Sequence, residues 1–321
     1  MELFTQVNIP PMPFAIDFST GIVSLGSCFS DEIGSLLQAS GFTVDQNAFG
    51  TLYNPASIAA ALRRIIYDVE IGAADLVHHE GLWHSWHHHG SFSRPTPEEC
   101  LAACNSRLHE AHESLKQAQL LILTFGTAWT YSLKSDARGE EQSLSRQPVA
   151  NCHKVHPDRF VRSRMTVDDI VGLWRPLLHE LHACFPTLNV VFTVSPIRHL
   201  GDGAHDNQLS KSTLLLAVDQ LVEALPSSAP RRRKGAKEQP SGQGVTAYFP
   251  AYELLLDELR DYRFYDADMA HPSPLAVEVV WERFQSATMT PAVRNQAHLN
   301  RKRHKRALHV PLHEGLVEIE N

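Results

Sequence analysis

The sequence predicts an α/β fold, a three-layer domain in which helices cover both faces of a central, parallel, five-stranded sheet. Short apolar segments that suit buried strands alternate with longer segments of helical periodicity along most of the 321 residues. Two of the apolar segments end in a glycine turn, at Gly26 and at Gly126. In a flavodoxin-like strand order, 2-1-3-4-5, these turns lie side by side at the edge of the sheet where α/β proteins bind ligands.

The first strand is predicted over residues 22–25, and Gly26 ends it. A helix is expected from Ser30 to residue 39, because serine caps helices and the acidic residues that follow it suit a helix N-terminus. Residues 41–44 are the second strand. Pro55 then opens a second helix, which runs to residue 67.

The middle of the chain predicts the third and fourth strands with long helices around them. Residues 119–125 are apolar throughout, as a central parallel strand is, and residues 188–194 are the fourth strand. Helices are expected over residues 97–116, 167–185 and 211–225. The segments between these elements are predicted to be irregular, and they are residues 72–96, 134–162 and 201–210.

The last elements of the sheet are predicted near the C-terminus. Residues 251–260 and 274–284 have helical patterns, and residues 262–266 are expected to be the fifth strand. The whole therefore suits a flavodoxin-like α/β domain with five parallel strands.

We expect one domain over residues 1–290, since a single α/β domain of this size is ordinary. A surface insertion is predicted at about residues 226–244, which hold a basic run among proline, serine and glycine. Residues 291–321 are predicted to be a basic C-terminal extension.

The composition is typical of a globular chain with a large core. Hydrophobic residues make up 43% of the sequence and charged residues 20%, and the net charge of −7 gives no reason to expect nucleic-acid or membrane binding. No stretch reaches the ~18 consecutive apolar residues of a membrane helix, and the N-terminal stretch lacks a basic leader, so we expect a cytoplasmic protein. The five scattered cysteines argue against a disulfide framework. No motif indicates a cofactor, and we expect none.

Two short motifs at the predicted ligand-binding edge carry the chemistry of a nucleophile and a base. Ser27 and Cys28 lie where the first strand turns into a helix, whose unpaired N–H groups stabilise a thiolate or an oxyanion. His271 follows Asp268 by three residues, a spacing that lets the carboxylate orient the imidazole as a general base. The sequence therefore predicts nucleophilic catalysis by Ser27 or Cys28.

These residues belong to a series of motifs that resembles the GSCFA family, which is placed with the SGNH, or GDSL-like, hydrolases. The letters LGSCFS at residues 25–30 match the motif that names the family, except that Ser30 stands where the motif has alanine. The other similar stretches, in order along the chain, are residues 49–55, 124–129, 151–154, 195–199, 249–253 and 268–273.

The resemblance implies an SGNH-type ester-cleaving site. In an ungapped alignment Cys28 takes the nucleophile position, and a shift of one residue puts Ser27 there. Gly50 resembles the glycine whose backbone N–H helps to form the oxyanion hole, and Asp268 and His271 match the base motif without change.

The third block of the hydrolase pattern departs in this chain. The pattern has an asparagine after its glycine, whereas Gly126 is followed here by Thr127 and no asparagine. The resemblance leaves Asn54 or Thr127 to complete the oxyanion hole.

Candidate substrate-binding residues come from two further motifs. Arg198 and His199 follow the fourth strand, where a guanidinium either binds a substrate carboxylate or phosphate or pairs with a nearby acid. Asn151 and His153 belong to a polar loop that either contacts substrate or is structural.

Six histidines between His78 and His89 raise the alternative of a zinc site. Zinc requires ligands that converge at ~2 Å, and the glycines and tryptophans of this segment disfavour a helix that would align them. We expect an aromatic surface loop or lid over the crevice instead, and we assign no metal.

The sequence thus predicts a hydrolase that acts on ester bonds, as an esterase, a deacylase or an O-acyltransferase, with a small-molecule or carbohydrate ester as substrate. Two alternatives remain at this point. One is a catalytically inactive relative that binds an ester or glycan, and the other is a metal-dependent hydrolase that uses the histidine cluster.

Overall fold

The computed structural model describes residues 5–134, 148–223 and 243–308. Its strands are β1 (Gly21–Gly26), β2 (Thr43–Gln46), β3 (Leu76–His79), β4 (Leu82–Ser85), β5 (Leu120–Phe125), β6 (Trp129–Leu133), β7 (Pro148–Val149), β8 (Phe160–Arg164), β9 (Asn189–Val194) and β10 (Thr246–Tyr248). Its α-helices are α1 (Cys28–Ala39), α2 (Pro55–Tyr67), α3 (Pro97–Gln117), α4 (Val167–Cys184), α5 (Ala204–Glu223), α6 (Ala251–Glu253), α7 (Pro274–Thr288) and α8 (Pro291–Ala307).

Five strands form one parallel sheet in the order β2-β1-β5-β9-β10. Counted along the chain, this is the predicted order 2-1-3-4-5, and the α/β class with a central five-stranded sheet is confirmed. The order is consistent with a flavodoxin-like fold. It places the ends of β1 and β5 side by side, because Gly26 pairs with Thr124 in the ladder.

Helices cover both faces of the sheet, and β5 shows how the sequence specifies this. Its residues Leu121 and Leu123 pack into the larger core with helices α2, α3, α4 and α5. Leu120 and Ile122 pack into a second core with α1, α7 and α8. Because successive side chains of a strand point to opposite faces, a strand that is apolar throughout is buried on both sides.

The histidine-rich segment contains a β-hairpin, so the prediction of an irregular loop over residues 72–96 was wrong. Strands β3 and β4 pair antiparallel, with His78 opposite Trp83. Glu80 and Gly81 form the turn with φ angles of 47° and 78°, and two positive φ angles are what a two-residue hairpin turn with the correct twist requires.

The segment predicted to be irregular at residues 134–162 also supplies strands. Within its described part, β7 and β8 pair with β6 in a three-stranded antiparallel sheet of order β7-β6-β8. A small core that includes Trp86, Val149 and Phe160 joins this sheet to the hairpin.

The fifth strand of the sheet is β10, so its prediction at residues 262–266 was wrong. Thr246 pairs with Val190, and β10 is largely buried at the edge of the sheet. Residues 262–264 form one 3₁₀ turn instead, which Asp261 caps by accepting the N–H of Arg263. β10 has only three residues, too few for an apolar pattern to stand out.

Three further segments of the chain complete the comparison with the sequence. Helix α5 begins at Ala204, so most of the segment predicted as a loop at 201–210 is helical. The basic residues 294–306 lie in α8, where Ala297 is buried and the Asn300 side chain donates to the Ser40 carbonyl. The predicted insertion at 226–244 lies outside the described residues except for its last two. No helix of the described chain is long and apolar enough to span a membrane.

Candidate active site

A cavity of about 450 Å³ opens at the carboxyl ends of the central strands. The turns that follow β1, β5 and β9 supply its floor, and the small sheet of β6, β7 and β8 supplies one wall. The lining residues are Ser27, Cys28, Tyr53, Asn54, Thr127, Trp129, Tyr131, Val149, Ala150, Asn151, Cys152, Arg162, Ser195, Ile197, Arg198, His199, Asp202 and His271.

The turn after β1 places two candidate nucleophiles at the start of α1. Gly26 has a φ of 150°, and a Cβ there would lie 2.3 Å from the Thr124 carbonyl oxygen, so only glycine lets the strand run this close to β5. Ser27 occupies the N-cap position but forms no side-chain capping bond. Cys28 is the first helical residue, two positions before the helix start that the sequence predicts.

Cys28 is the residue of this turn that meets the predicted base. Its Sγ lies 3.9 Å from Nε2 of His271, across 243 residues of sequence. The Ser27 side chain differs, because it is 2% exposed and its Oγ has no hydrogen-bond partner. The structure therefore brings the thiol, and not the hydroxyl, to the imidazole.

Asp268 holds His271 in place from the other side of the ring. Its Oδ2 lies 2.5 Å from Nδ1 of His271, while its Oδ1 accepts the backbone N–H groups of Ala270 and His271 at 2.9 Å each. These hydrogen bonds lower the pKa of the Asp268 carboxyl to about 2. The carboxylate is thus ionised at neutral pH and keeps the Nδ1 proton facing it, which leaves Nε2 as the base toward Cys28.

Two opposing effects act on the Cys28 thiol. Burial raises its pKa, and the nearby carboxylates of Asp31 and Glu32 add to that effect. The backbone N–H groups of Cys28 and Phe29 act in the other direction, since they hydrogen-bond the sulfur and stabilise the thiolate. Burial is the larger effect and the pKa is raised, so the resting side chain is a neutral thiol that needs a base before it attacks.

The loop from Asn47 to Asn54 fixes the nucleophile turn, a role that the sequence analysis missed for Asn47. Its Oδ1 accepts the N–H of Gly26 at 2.8 Å, and its Nδ2 donates to Asp31 at 2.6 Å. Leu52 donates its N–H to the Gly26 carbonyl at 2.9 Å. The positive φ of Asn47, 45°, is the local signal, because asparagine adopts this conformation more readily than most residues.

The expected role of Gly50 in an oxyanion hole does not fit the structure. Its N–H donates to the Asn47 carbonyl at 2.7 Å, and Gly50 does not line the cavity. The glycine is needed for another reason, since its φ is 73° and a Cβ would lie 2.3 Å from that of His89.

Gly126 and Thr127 are also unavailable as oxyanion donors. Both of their N–H groups donate to the Tyr53 carbonyl, at 2.8 and 2.9 Å. The Thr127 hydroxyl is engaged as well, 3.1 Å from Oγ of Ser210. These two residues join the β5 turn to the Asn47–Asn54 loop instead.

Asn54 is the predicted oxyanion residue that the structure leaves free to serve. It is buried, lines the cavity and caps α2 by accepting the Ser57 N–H on Oδ1 at 2.8 Å. Because the amide oxygen is engaged by the helix, the Nδ2 amide NH2 group is the one that remains to donate to a ligand.

The predicted substrate-binding residues divide into two groups. Arg198, His199 and Asn151 line the cavity. His153 does not, because its ring packs against His84 and its Nε2 hydrogen-bonds the Ser85 carbonyl at 2.8 Å. His153 is therefore a structural residue. This agrees with its buried position, which lowers the pKa of the imidazole to about 4.

His199 lies beside the Gly126 turn in a desolvated position. Burial and the charge of Lys211 lower the pKa of its imidazole to about 4, so the ring is neutral at physiological pH. Its ring meets that of Tyr53 edge to face at 6.0 Å. A neutral imidazole here can hydrogen-bond a polar substrate group without adding charge.

Lys211, which the family resemblance implies at the rim of the site, is a buried residue beneath it. Its side chain is fully buried, and Nζ donates to the carbonyls of Gly126 and Ser195 at 2.5 and 2.7 Å. Burial lowers the pKa of the amine to about 7, and the nearby Cys28 acts against this shift.

The wall of the cavity is aromatic and was also missed. Trp129 and Tyr131 lie on β6, and the guanidinium of Arg162 stacks 3.9 Å from the centre of the Trp129 ring. Arg162 also pairs with Asp202. A flat, polar-edged surface of this kind suits a sugar ring or another planar group.

The histidine cluster contributes to packing rather than to the cavity. His87 pairs with Asp75 at 2.9 Å, and His88 hydrogen-bonds Ser85 and stacks on Phe49 at 4.2 Å. None of the residues 72–96 lines the cavity, so the lid predicted there is not found. Among residues 5–134, 148–223 and 243–308, no group of three or more His, Cys, Asp and Glu side chains is arranged to hold a metal ion.

The comparison with protein families agrees with the motifs that meet in this cavity. The model of the GSCFA family matches residues 21–284, which include β1, the nucleophile turn and the Asp268–His271 pair. Comparison with curated proteins finds none that matches this sequence.

Proposed function

Because the chain belongs to the GSCFA family, its Cys28 and His271 line one cavity and Asp268 holds His271 from behind, we propose that it is an SGNH-type enzyme that hydrolyses or transfers acyl groups at ester bonds. The observation that carries the proposal is the approach of Cys28 Sγ to His271 Nε2 while Asp268 holds the opposite ring nitrogen. A thiol that contacts an imidazole, which in turn contacts a carboxylate, is the arrangement that nucleophilic acyl transfer needs.

The first step forms a thioester between the substrate and Cys28. His271 takes the thiol proton on Nε2 as sulfur attacks the ester carbonyl, and the carbonyl oxygen becomes an oxyanion. Proton transfer accompanies the attack, since the raised pKa keeps the thiol protonated at rest. The imidazolium then gives this proton to the departing alkoxide, which leaves as an alcohol.

The oxyanion is stabilised by two kinds of donor beside Cys28. The first is the pair of backbone N–H groups of Cys28 and Phe29 at the N-terminus of α1, which hydrogen-bond the sulfur at rest. The second is the Nδ2 amide group of Asn54, which lines the cavity. A donor of this kind contributes about 2.7–4 kcal/mol to the transition state. Asn54 thus takes the part of the asparagine that is missing after Gly126.

The second step returns the enzyme to its resting state. Water or an acceptor alcohol enters, His271 removes its proton, and the oxygen attacks the thioester carbonyl. Collapse of the intermediate breaks the C–S bond, and Cys28 regains a proton from His271. Water as acceptor gives hydrolysis, and an alcohol gives O-acyl transfer. The aromatic wall of Trp129 and Tyr131 suits a small-molecule or carbohydrate substrate.

A second candidate function is binding of an ester or glycan without cleavage. It is favoured by the N–H groups of Gly126 and Thr127, which both donate to Tyr53 and so provide no oxyanion donor at the usual turn. The metal-dependent alternative has no such support in the described residues.

The test is hydrolysis of short p-nitrophenyl esters by the wild type and by a set of variants of matched size. We expect Cys28→Ala to abolish turnover and His271→Ala to lower it by about 10²–10⁴-fold. Ser27→Ala is the neighbouring control and keeps activity within a few fold. Each variant is checked for folding by circular dichroism.

Three other outcomes would contradict the proposal in different ways. Loss of activity in Ser27→Ala with activity kept in Cys28→Ala would show that the nucleophile is Ser27 and not Cys28. Activity that survives all three substitutions would show that catalysis does not take place at this site. An inert wild type that binds the esters with unchanged affinity in Cys28→Ala would support the binding protein.

A further inference from the structure

The ionisable groups that line the catalytic cavity leave one cation without a partner. Arg162 pairs with Asp202, and His271 pairs with Asp268. The guanidinium of Arg198 lines the same cavity and forms no hydrogen bond or ion pair with any residue that the structure describes. Only its backbone is engaged, through an N–H that donates to the Ala270 carbonyl.

The Lys211 amine lies beneath the cavity and also has no acid beside it among the described residues. Lys211 is bonded to two backbone carbonyls, and within the described chain no carboxylate contacts its Nζ. Of the arginines and the aspartate that line the cavity, only the guanidinium of Arg198 is not balanced by an ion pair with another described side chain. An unpaired guanidinium in a partly enclosed cavity attracts anions, because the low-dielectric walls concentrate its field.

A second cavity of about 450 Å³ lies next to the first and shares Arg198 with it. Arg260 lies in this second cavity, and its side chain donates to the Asp257 carbonyl and to Thr5 rather than to a carboxylate. Tyr262, which is 81% exposed, and Met269, which is 50% exposed, add apolar surface there. A ligand too long for the catalytic cavity would continue past Arg198 into this groove.

We propose that the substrate is an anionic ester whose carboxylate or phosphate is held by Arg198 while its scissile carbonyl lies at Cys28. The proposal rests on the acyl-transfer function and adds the class of substrate. The planar fork of a guanidinium binds the two oxygens of either group through parallel hydrogen bonds. The remainder of the anion lies along the groove toward Arg260 and Tyr262.

A test that does not depend on turnover compares two alkylating reagents of equal size at Cys28. Iodoacetate is an anion and iodoacetamide is neutral, and both displace iodide from carbon to form a thioether with Cys28. The Cys28 peptide is followed by mass spectrometry in a protein that carries Cys152→Ser and Cys184→Ser, so that other accessible thiols do not react. The ratio of the two rate constants cancels any change in the pKa of the thiol.

We expect Arg198→Gln to lower the iodoacetate-to-iodoacetamide ratio about fivefold, as the loss of one nearby charge would. Arg175→Gln is the matched control, since Arg175 is exposed on α4 away from both cavities and its substitution leaves the ratio unchanged. Inorganic phosphate and succinate are then added separately as protecting ligands. The one that slows the reaction with iodoacetamide in wild type but not in Arg198→Gln identifies the anionic group.

A ratio that is equal in wild type and Arg198→Gln would overturn the proposal, and so would equal falls in both arginine variants. Failure of Cys28 to react with either reagent would also overturn it, because the cavity would not reach the thiol. The matched esters p-nitrophenyl succinate and p-nitrophenyl butyrate then separate the two proposals. If neither is hydrolysed while the alkylation ratio behaves as expected, acyl transfer fails and the anion site stands.

Discussion

Replacement of Lys211 by methionine should change how the stability of the protein depends on pH. The Lys211 amine is fully buried, and the described chain gives it only two carbonyl partners. Burial lowers its pKa from the ordinary 10.5 to about 7. Between these two values the unfolded chain binds a proton that the folded protein releases, so the free energy of unfolding rises with pH in that window.

The magnitude follows from the two pKa values. Below pH 7 both states are protonated, and the full penalty of the buried charge is present. Each pH unit between pH 7 and pH 10.5 relieves up to ~1.36 kcal/mol, so the wild type should gain about 2–3 kcal/mol of stability from this group between pH 6 and pH 9. Methionine has no proton to release, and Lys211→Met should lack this gain.

The assay is urea-induced unfolding at pH 6, 7, 8 and 9, with wild type and variant measured in parallel. Other titrating groups contribute equally to both proteins, so the difference between the two free energies of unfolding isolates Lys211. Lys116→Met is the matched control, because Lys116 is exposed and pairs with Glu113 on the surface of α3. Its difference from wild type should show no comparable slope between pH 6 and pH 9.

A flat difference between wild type and Lys211→Met would refute this reasoning. It would mean that the amine remains protonated in the folded protein up to pH 9, so that its environment is more polar than two carbonyls provide.

The remaining predictions concern Asn54 and Gly50, two of the residues for which the sequence suggested an oxyanion role. Asn54→Ser should lower kcat for ester hydrolysis by about 10²–10³-fold, because serine lacks the amide NH2 group that donates to the oxyanion. Stability should change little, because serine can still cap α2 by accepting the Ser57 N–H. An unchanged kcat would exclude Asn54 as a donor. Gly50→Ala should instead destabilise the protein by about 2–3 kcal/mol in thermal unfolding, because alanine strains a φ of 73° and its Cβ meets His89. Turnover of the folded variant should stay near that of wild type, and a loss of kcat at temperatures where it is folded would restore the role of its N–H.

Local patterns in the sequence were sufficient for the frame of the sheet. The apolar segments that became β1, β5 and β9 are each buried along their length, and the turns after β1 and β5 meet as their order predicts. These features depend on neighbouring residues, whose periodicity and glycine ends are visible in one dimension. The elements that the sequence missed are short, such as β10 and the hairpin of β3 and β4, and are held by pairing with distant strands.

The sequence by itself nominated the side chains for the proposed chemistry, namely Ser27, Cys28, Asp268 and His271, and predicted that they follow strands or lie near the chain end. Only the tertiary structure decided which of the first two faces the base, because that depends on α1 beginning at Cys28 and on a contact across 243 residues. It also decided which backbone N–H groups remain free. The hydrogen bond from the Gly50 N–H to the Asn47 carbonyl forms only in the folded loop, and the identities of the two residues do not predict it. Packing sets the partners of each polar group, and the partners set what the group can still do.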